Sequence, residues 1–423
     1  MAETFTIGII GGGQLALMMG QSLRRAQAHS PRPLELKFFL KSQNEPAFLG
    51  LSDSLGSAQF YFSTSFADSQ FKNFAKACDI LTLESEFFCP TLNDFKILGL
   101  DPHVLCPSFG SLEILTDKYK QKQLAKKLGI PTSDFFDLSQ TFPEIFSNSG
   151  EEWVLKWSTG GYDGRGTYFL DSLSEIHNPT EKLKVFLKGS DPRLTTQIFV
   201  EKKIKIKAEL ALSCVRLKSN PEEIYFFPLI FTEQKNGVCA WAELPIPESL
   251  KIPSESEKLV QSWLKRVCEN LKYFGLLTVE LFLDDNDTLW VNEWAPRVHN
   301  SLHLSREACK MDQFTAHLCA LLPESKGITQ DLLTMNPKLR VIMKNILGTD
   351  ELQKNDPPLL KAQVTPLSLP QSEKNIEIFL QGYGKKLTSL GRKMGHLCGR
   401  SPLEISCKQI KDRLMAEEEK IWK

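Results

Sequence analysis

Three consecutive glycines set between a strand-like run and an amphipathic one constrain this chain more than any other feature. Phe5–Ile10 is short, apolar and rich in isoleucine, and residues 14–28 carry Leu15, Met18, Met19 and Leu23 at helical spacing. A glycine turn feeding a helix, with further strand-like runs at Leu34–Leu40 and Ile80–Leu83, predicts βαβ connections and a parallel sheet, an α/β class. Gly11-Gly12-Gly13-Gln14-Leu15-Ala16 also fits G-x-G-x-x-A, a turn at which helix amides can approach a phosphate. The acid that would hold a ribose after the second strand is missing, because Lys41-Ser42 stand there. A lysine suits a 2′-phosphate, so a nicotinamide-dependent reductase, a general anion site and a plain packing turn all stay open.

A second glycine cluster, Thr159-Gly160-Gly161-Tyr162-Asp163-Gly164-Arg165-Gly166-Thr167, lies between strand-like runs at 153–157 and 167–170. Its amides can form a nest over polyphosphate, whereas Asp163-Gly164 alone would suit an ordinary hairpin turn. Tyr162, Asp163 and Arg165 in so glycine-rich a tip favour a lid over a ligand. Lys156 sits mid-strand, opposite the face of Trp153, Leu155 and Trp157. Buried there it needs a counter-charge, which an anionic ligand would supply; at a sheet edge it would snorkel to water. Lys118 belongs to a lysine-rich helix predicted over residues 116–129, closed by Gly129 and Pro131, and by itself reads as a solvated charge.

Residues 276–283 and 288–294 read as two strands joined by the polar turn Asp284-Asp285-Asn286-Asp287. Counting outward places Glu280 and Glu293 within a residue or two of each other on neighbouring strands. Two such carboxylates repel unless a cation sits between them, and oxygen ligands with open positions suit magnesium bound to phosphates. Exposed glutamates on an edge hairpin are the alternative. The run Asn292-Glu293-Trp294-Ala295-Pro296-Arg297-Val298-His299-Asn300-Ser301 gathers an amide, an acid, a guanidinium and an imidazole, a density that favours a site. Tyr383-Gly384-Lys385-Lys386 and Gly391-Arg392-Lys393-Met394-Gly395-His396 add cations bracketed by glycines, or a solvated basic loop. His29, His103, His177 and His317 are not paired as metal ligands. A charged helix is predicted over 401–423.

Composition removes other classes. Basic and acidic side chains balance at 51 each, which leaves no electrostatic footprint for nucleic acid or an anionic membrane. No stretch approaches the roughly 20 apolar residues of a membrane helix. The apolar run at 7–19 has no basic residue ahead of it and is broken by glycines, so it is not read as a signal peptide. The 10 cysteines are scattered without a C-x-x-C pair, as expected of reduced thiols in a cytoplasmic protein.

In this order the motifs resemble those of the 5-(carboxyamino)imidazole ribonucleotide synthase (PurK) family of the ATP-grasp superfamily. The likeness rests on Gly11 to Leu15, Thr159 to Gly166, Asn292-Glu293, Ala295-Pro296-Arg297, His299-Asn300-Ser301, Gln313-Phe314 with His317-Leu318, and Gly391 to His396. It implies an amino-terminal βαβ domain over residues 1–112, an ATP-grasp domain over 113–345 with a mobile glycine-rich loop, and a β-rich cap with a terminal helix over 346–423. ATP contacts are implied at Lys118, Lys156, Gly161, Tyr162, Asp163, Gly164, Arg165, Gly166, Thr167, Glu201, Ile204, Glu209, Asn292 and Glu293. Of these, Glu201 and Glu209 would lie near the nucleoside, and magnesium would fall to Glu280 and Glu293. Tyr162, Asp163, Arg165, His299, Lys385 and Arg392 would face aminoimidazole ribonucleotide. Arg297, His299 and Asn300 would sit near bicarbonate and a developing carboxyphosphate, with Asp163 positioning the attacking amine or accepting its proton. The implied reaction carboxylates the ribonucleotide with bicarbonate at the expense of ATP, in de novo purine biosynthesis. The family also suggests a homodimer formed through the amino-terminal domain, and hand-off of product to a mutase.

The chain departs from the family pattern at several points. Ala16-Leu17 replaces glycine-arginine, and Leu302 replaces a glycine. Phe231 and Gln234 lie in a segment lacking the usual acid-asparagine and histidine; Lys203, Lys205 and Lys207 form an unusually basic strand; and Thr388-Ser389-Leu390 stand in place of arginine-proline. Two alternatives follow: another carboxylate–amine ligase, such as a formate-using glycinamide ribonucleotide enzyme, or a nucleotide-binding regulator without catalysis.

Overall fold

In the first sheet, β1 (Phe5–Ile10), β2 (Leu34–Leu40), β3 (Phe60–Phe62) and β4 (Ile80–Leu83) lie in the order β3-β2-β1-β4, all parallel. Apolar side chains cover both faces, as parallel strands require. Ile7 and Ile9 pack with Met18 and Met19 on one side, while Phe39, Phe71, Phe74 and Phe95 form an aromatic cluster on the other. The helix predicted over 14–28 is divided into Gln14–Gln21 and Leu23–Gln27. Ser22 sits at the break, its hydroxyl donating to the Met18 carbonyl at 3.0 Å, a back-bond that bends helices. The computed structural model describes residues 3–137, 152–161, 166–170, 181–188, 198–348, 364–367 and 375–422.

A second, antiparallel sheet is built from β5 (Phe135–Asp137), β6 (Trp153–Trp157), β7 (Thr167–Phe169) and β8 (Ile198–Lys202), in the order β5-β8-β6-β7. Residues 198–216 form two strands that belong to different sheets. β8 ends at Lys202, Lys203-Ile204-Lys205 cross over, and β9 (Ile206–Arg216) enters the third sheet.

That third sheet continues through β10 (Ile224–Phe226), β11 (Ile230–Lys235), β12 (Val238–Leu244), β13 (Gly275–Asp284), β14 (Leu289–Ala295), β15 (Leu339–Leu347), β16 (Val364–Leu367), β17 (Glu377–Gly382) and β18 (Lys393–Pro402). Its path is β14-β13-β9-β11-β12-β15-β18-β17-β16, with β10 beside β9. β15 pairs with β12 on one edge and β18 on the other, so the carboxy-terminal strands extend the same sheet. The terminal helix begins at Cys407, later than predicted, because Ser401 and Pro402 are still paired to β15.

Two helices place the site. Ser256–Asn270 buries Val260, Trp263, Leu264 and Val267 against Leu277, Val279, Leu281 and Leu283 of β13. Each such side chain contributes about 1.5–3 kcal/mol on leaving water, which commits that face of β13 to the core and leaves Glu280 on the other. The lysine-rich helix runs Lys118–Lys127, because Asp117 caps it by accepting from the amides of Tyr119 and Lys120. Gln121 then clamps this helix to β14, donating to the Trp294 carbonyl at 2.8 Å and accepting from the Trp294 amide at 2.7 Å. No helix among the described residues is long and apolar enough to cross a membrane.

Candidate functional site

Glu280 on β13 stands directly opposite Glu293 on β14, so both carboxylates share a face. The next pair is Leu281 with Val291, which leaves Asn292 as an extra residue in a β-bulge. A regular strand would send Asn292 and Glu293 to opposite faces; the bulge brings both to bear on one cleft. Asn292 donates to Glu280 at 3.4 Å and accepts from Lys156 at 3.0 Å, while Glu293 pairs with Lys118 at 2.6 Å. Burial opposes the Lys118 charge, but Glu293 outweighs it and raises the ammonium above its ordinary range.

Lys156 of β6 is buried, and the counter-charge it needs comes from the protein. Its ammonium lies 2.5 Å from Glu201 on the neighbouring β8. The other oxygen of Glu201 meets Lys122 at 2.7 Å and the Ser133 hydroxyl at 3.1 Å. Burial alone would raise the Glu201 carboxyl; Lys122 and Lys156 together outweigh it and hold it at about 2. Lys122, 3% exposed, also donates to Thr132 and Ser133, so it joins its helix to the linker entering the second sheet. Glu201, expected near the nucleoside, is thus the core of a buried lysine–glutamate–lysine bridge. Glu209 lies on β9, two residues from the partner of Glu280 on the same face. Burial, and then the Glu280 charge, push its carboxyl up to about 7. Gln234, one of the departures from the family pattern, supplies Glu209 with a hydrogen bond.

The segment after β14 returns toward the amino-terminal sheet. The Arg297 guanidinium makes a two-pronged pair with Glu86, through Nε to Oε2 and through Nη2 to Oε1 at 2.9 Å. Burial works against both charges, but their mutual attraction prevails, lowering the Glu86 carboxyl and raising the guanidinium. His299 Nε2 lies 3.3 Å from Glu280, and its Nδ1 accepts from the Ser301 amide. Gln313 fixes the His299 backbone, accepting from its amide at 2.7 Å and donating to its carbonyl at 2.8 Å. Asn300 points elsewhere: its buried amide forms a reciprocal pair with that of Asn345, at 3.1 and 2.6 Å. The expected place beside bicarbonate therefore does not suit its side chain, which braces the loop against β15.

At the first glycine turn, acidic side chains press on the backbone. A methyl group on Gly13 would meet Glu84 Oε1 at 2.1 Å, one on Gly11 would meet Glu84 Oε2 at 2.6 Å, and one on Gly12 would meet Glu45 Oε2 at 2.7 Å. Glu84 accepts from the Gly13 amide, and Glu45 accepts from the Lys41 amide at 2.7 Å. Burial is the main cause that raises the Glu84 carboxyl. Two carboxylates press on the glycine backbone, which favours the packing-turn reading over a reductase or a general anion site. The glycines serve close approach of acid to backbone.

The remaining expected residues distribute as follows. Tyr162, Asp163, Gly164 and Arg165 lie outside the described residues. Gly166 has φ +76°, with the Trp157 ring 2.9 Å from where a side chain would start, and Thr167 pairs with Lys156. The Lys118 amide donates to the Ser158 carbonyl, tying the start of its helix to the approach to Gly161. Ile204 sits in the crossover between the second and third sheets. Lys385 and Arg392 lie between β17 and β18, donating to the carbonyls of Lys393 and Leu387. The Lys385 charge is felt at Glu84. Ala16 and Leu302 are wholly buried, so those departures concern packing. Glu84, Glu86 and Lys122 are functional candidates that sequence reasoning missed. Two acids at the carboxyl end of a parallel strand were the available signal for the first pair; Lys122 had none.

Two family profiles match the chain: the ATP-grasp domain over residues 123–314, and the phosphoribosylaminoimidazole carboxylase C-terminal domain over 341–400. The N5-carboxyaminoimidazole ribonucleotide synthase of Synechococcus elongatus is 32% identical over 426 residues, covering 98% of this chain and 95% of that one. Among solved structures, the Staphylococcus aureus N5-carboxyaminoimidazole synthetase complexed with ADP has a TM-score of 0.73 at 25% identity, covering 98% of each chain. The carboxyaminoimidazole ribonucleotide synthase of Aspergillus clavatus complexed with ATP has a TM-score of 0.76 and covers 99% of each chain; at 24% identity it speaks for the fold alone. Three sheets around a cleft of paired lysines and glutamates, matched in this way, define an ATP-grasp enzyme, a carbon–nitrogen ligase. Likeness along nearly the full length goes further. The chain belongs to the N5-carboxyaminoimidazole ribonucleotide synthase family.

Proposed function

We propose that the chain carboxylates 5-aminoimidazole ribonucleotide with bicarbonate, giving 5-(carboxyamino)imidazole ribonucleotide, ADP and phosphate by way of carboxyphosphate. The observation that carries this reading is the bulged hairpin, where Glu280, Asn292 and Glu293 face Lys118 and Lys156 from two other elements. Phosphoryl transfer from ATP to bicarbonate joins two anions, so fixed cations beside the transferring group are what the chemistry demands.

Glu280 and Glu293 fit magnesium. They are two register-paired hard carboxylates, which by themselves fill only part of the coordination shell of such an ion. That leaves positions for phosphate oxygens and water, the set magnesium prefers. Bound there, the ion offsets phosphate charge during transfer. Lys118 exchanges its carboxylate partner for phosphate oxygens, while Lys156 keeps Glu201 and Asn292 and directs its remaining N–H to those oxygens. Glu209 and Ile204 border the nucleoside at the crossover. Arg297 and His299 orient bicarbonate. The ribonucleotide amine then forms a bond to the carboxyl carbon while the carbon–oxygen bond to phosphate breaks; the amine proton passes to Asp163 and phosphate leaves.

The test is phosphate release by the full chain. It should require ATP, magnesium, bicarbonate and aminoimidazole ribonucleotide together, with the carboxylated ribonucleotide recovered as product. Release that persists without the ribonucleotide, or that accepts formate in place of bicarbonate, overturns the reading, as does ATP binding without turnover.

A further inference from the structure

We propose that Glu86 is the positioning residue that turns Arg297 into a bicarbonate receptor. The inference rests on the bicarbonate reading above and adds a residue to it. A guanidinium carries five N–H donors in a fixed plane. Glu86 takes one on Nε and one on Nη2, and the Val298 carbonyl takes one on Nη1 at 3.2 Å. One N–H remains on each of Nη1 and Nη2. Their spacing matches the two oxygens of a planar carboxylate, the fork geometry that arginine offers and lysine does not.

Two further observations separate this arrangement from a casual ion pair. First, Glu86 and Arg297 are only 16% and 17% exposed, so the guanidinium cannot swing freely in solvent. Second, Glu86 arrives on the loop after β4, and that loop is anchored two residues later. The Phe88 ring stacks against Phe39 and lies 4.5 Å from Phe66, inside the aromatic cluster of the first sheet. The carboxylate is therefore fixed by the amino-terminal core, while its partner belongs to the segment following the bulged hairpin. Arg297 also lies close enough to Glu293 for the two charges to interact. An anion held on its free fork would thus sit beside the carboxylates assigned to magnesium.

Steady-state kinetics of the full chain test this, with ATP and bicarbonate varied separately at saturating ribonucleotide. For Glu86→Gln the KM for bicarbonate should rise by about 10- to 100-fold, the scale of one oriented charged hydrogen-bond pair. The KM for ATP should stay within about twofold, and kcat at saturating bicarbonate should largely survive. Glu86→Asp keeps the charge but withdraws one methylene, so it should show the same split; a bicarbonate KM like that of the unaltered chain would overturn the side-on geometry. If Glu86→Gln fails to fold, as a thermal melt would reveal, Glu86→Asp carries the test. On an Arg297→Ala background, Glu86→Asp should add nothing further, and additive losses would overturn the proposal. An unaltered chain that carboxylates nothing sinks the underlying reading and this inference with it. An active chain whose Glu86 variants raise both KM values equally, or neither, sinks this inference alone.

Discussion

At the turn after β1, carboxylates approach bare backbone; at the β13–β14 hairpin, they meet lysines brought from other elements. Glu84 and Glu45 lean on Gly11, Gly12 and Gly13, and any added side chain collides with them. That arrangement is closed, because the amide contacts have no mobile partner to give up. Lys118 and Glu293 are 23% and 26% exposed, so their pair keeps one side toward solvent and is held less firmly than a fully buried one. It can be exchanged for a phosphate at small cost. Behind it, Glu201 with Lys122 and Lys156 is buried and costly to disturb. Acid beside glycine reports a packed turn here, while acid beside a replaceable cation reports a place where ligand enters.

That contrast can be broken in four ways. Glu201→Gln should do the most damage, since it leaves two lysines buried without their counter-charge: about 3–5 kcal/mol in a denaturant melt. Because the folded carboxyl is held at about 2, its contribution is complete above the ordinary value of 4.5 and is lost as the pH falls from there through about 2. The variant should lack that part of the acid loss shown by the unaltered chain, and an unchanged acid profile would refute the bridge. Glu293→Gln should instead slow phosphate release by about 10²- to 10³-fold with little change in melting temperature. Near-normal turnover, or unfolding, would remove Glu293 from the site. Gly13→Ala should cost about 1–3 kcal/mol by overpacking against Glu84, and adding Glu84→Ala should recover most of it. Equal losses in both backgrounds would mean the carboxylate is not the obstacle. Last, a reduced nicotinamide cofactor should show no change in fluorescence on mixing with the protein; saturable binding would reopen the turn as a phosphate site.

How far the chain could be read depended on the distance between cause and effect. β1, β2 and β4 were legible end to end, because strand composition and the glycine turn are local signals. The hairpin was legible too: Asp284 to Asp287 mark the turn, and counting from it brings Glu280 and Glu293 together. The bulge at Asn292 was not, since one extra residue in a strand leaves no trace in alternation over so short a run. Glu84 reaches Gly13 from 71 positions along the chain, and nothing near either residue announces the other. Lys122 looks like its neighbours in a helix with five lysines, and only the docking of Gln121 on Trp294 turns it inward. The break at Ser22 is local, but a serine hydroxyl can as readily face water.

The ladder formed by β12, β15 and β18 has a consequence for anyone dividing this protein. A chain cut after residue 338 would lose β15 and leave the edge of β12 from Trp241 to Leu244 with unmet amides and carbonyls, an invitation to association between copies. The released piece would carry a matching raw margin. The two family profiles therefore mark stretches of common descent laid along one woven fabric, and neither half should be expected to survive alone in a test tube.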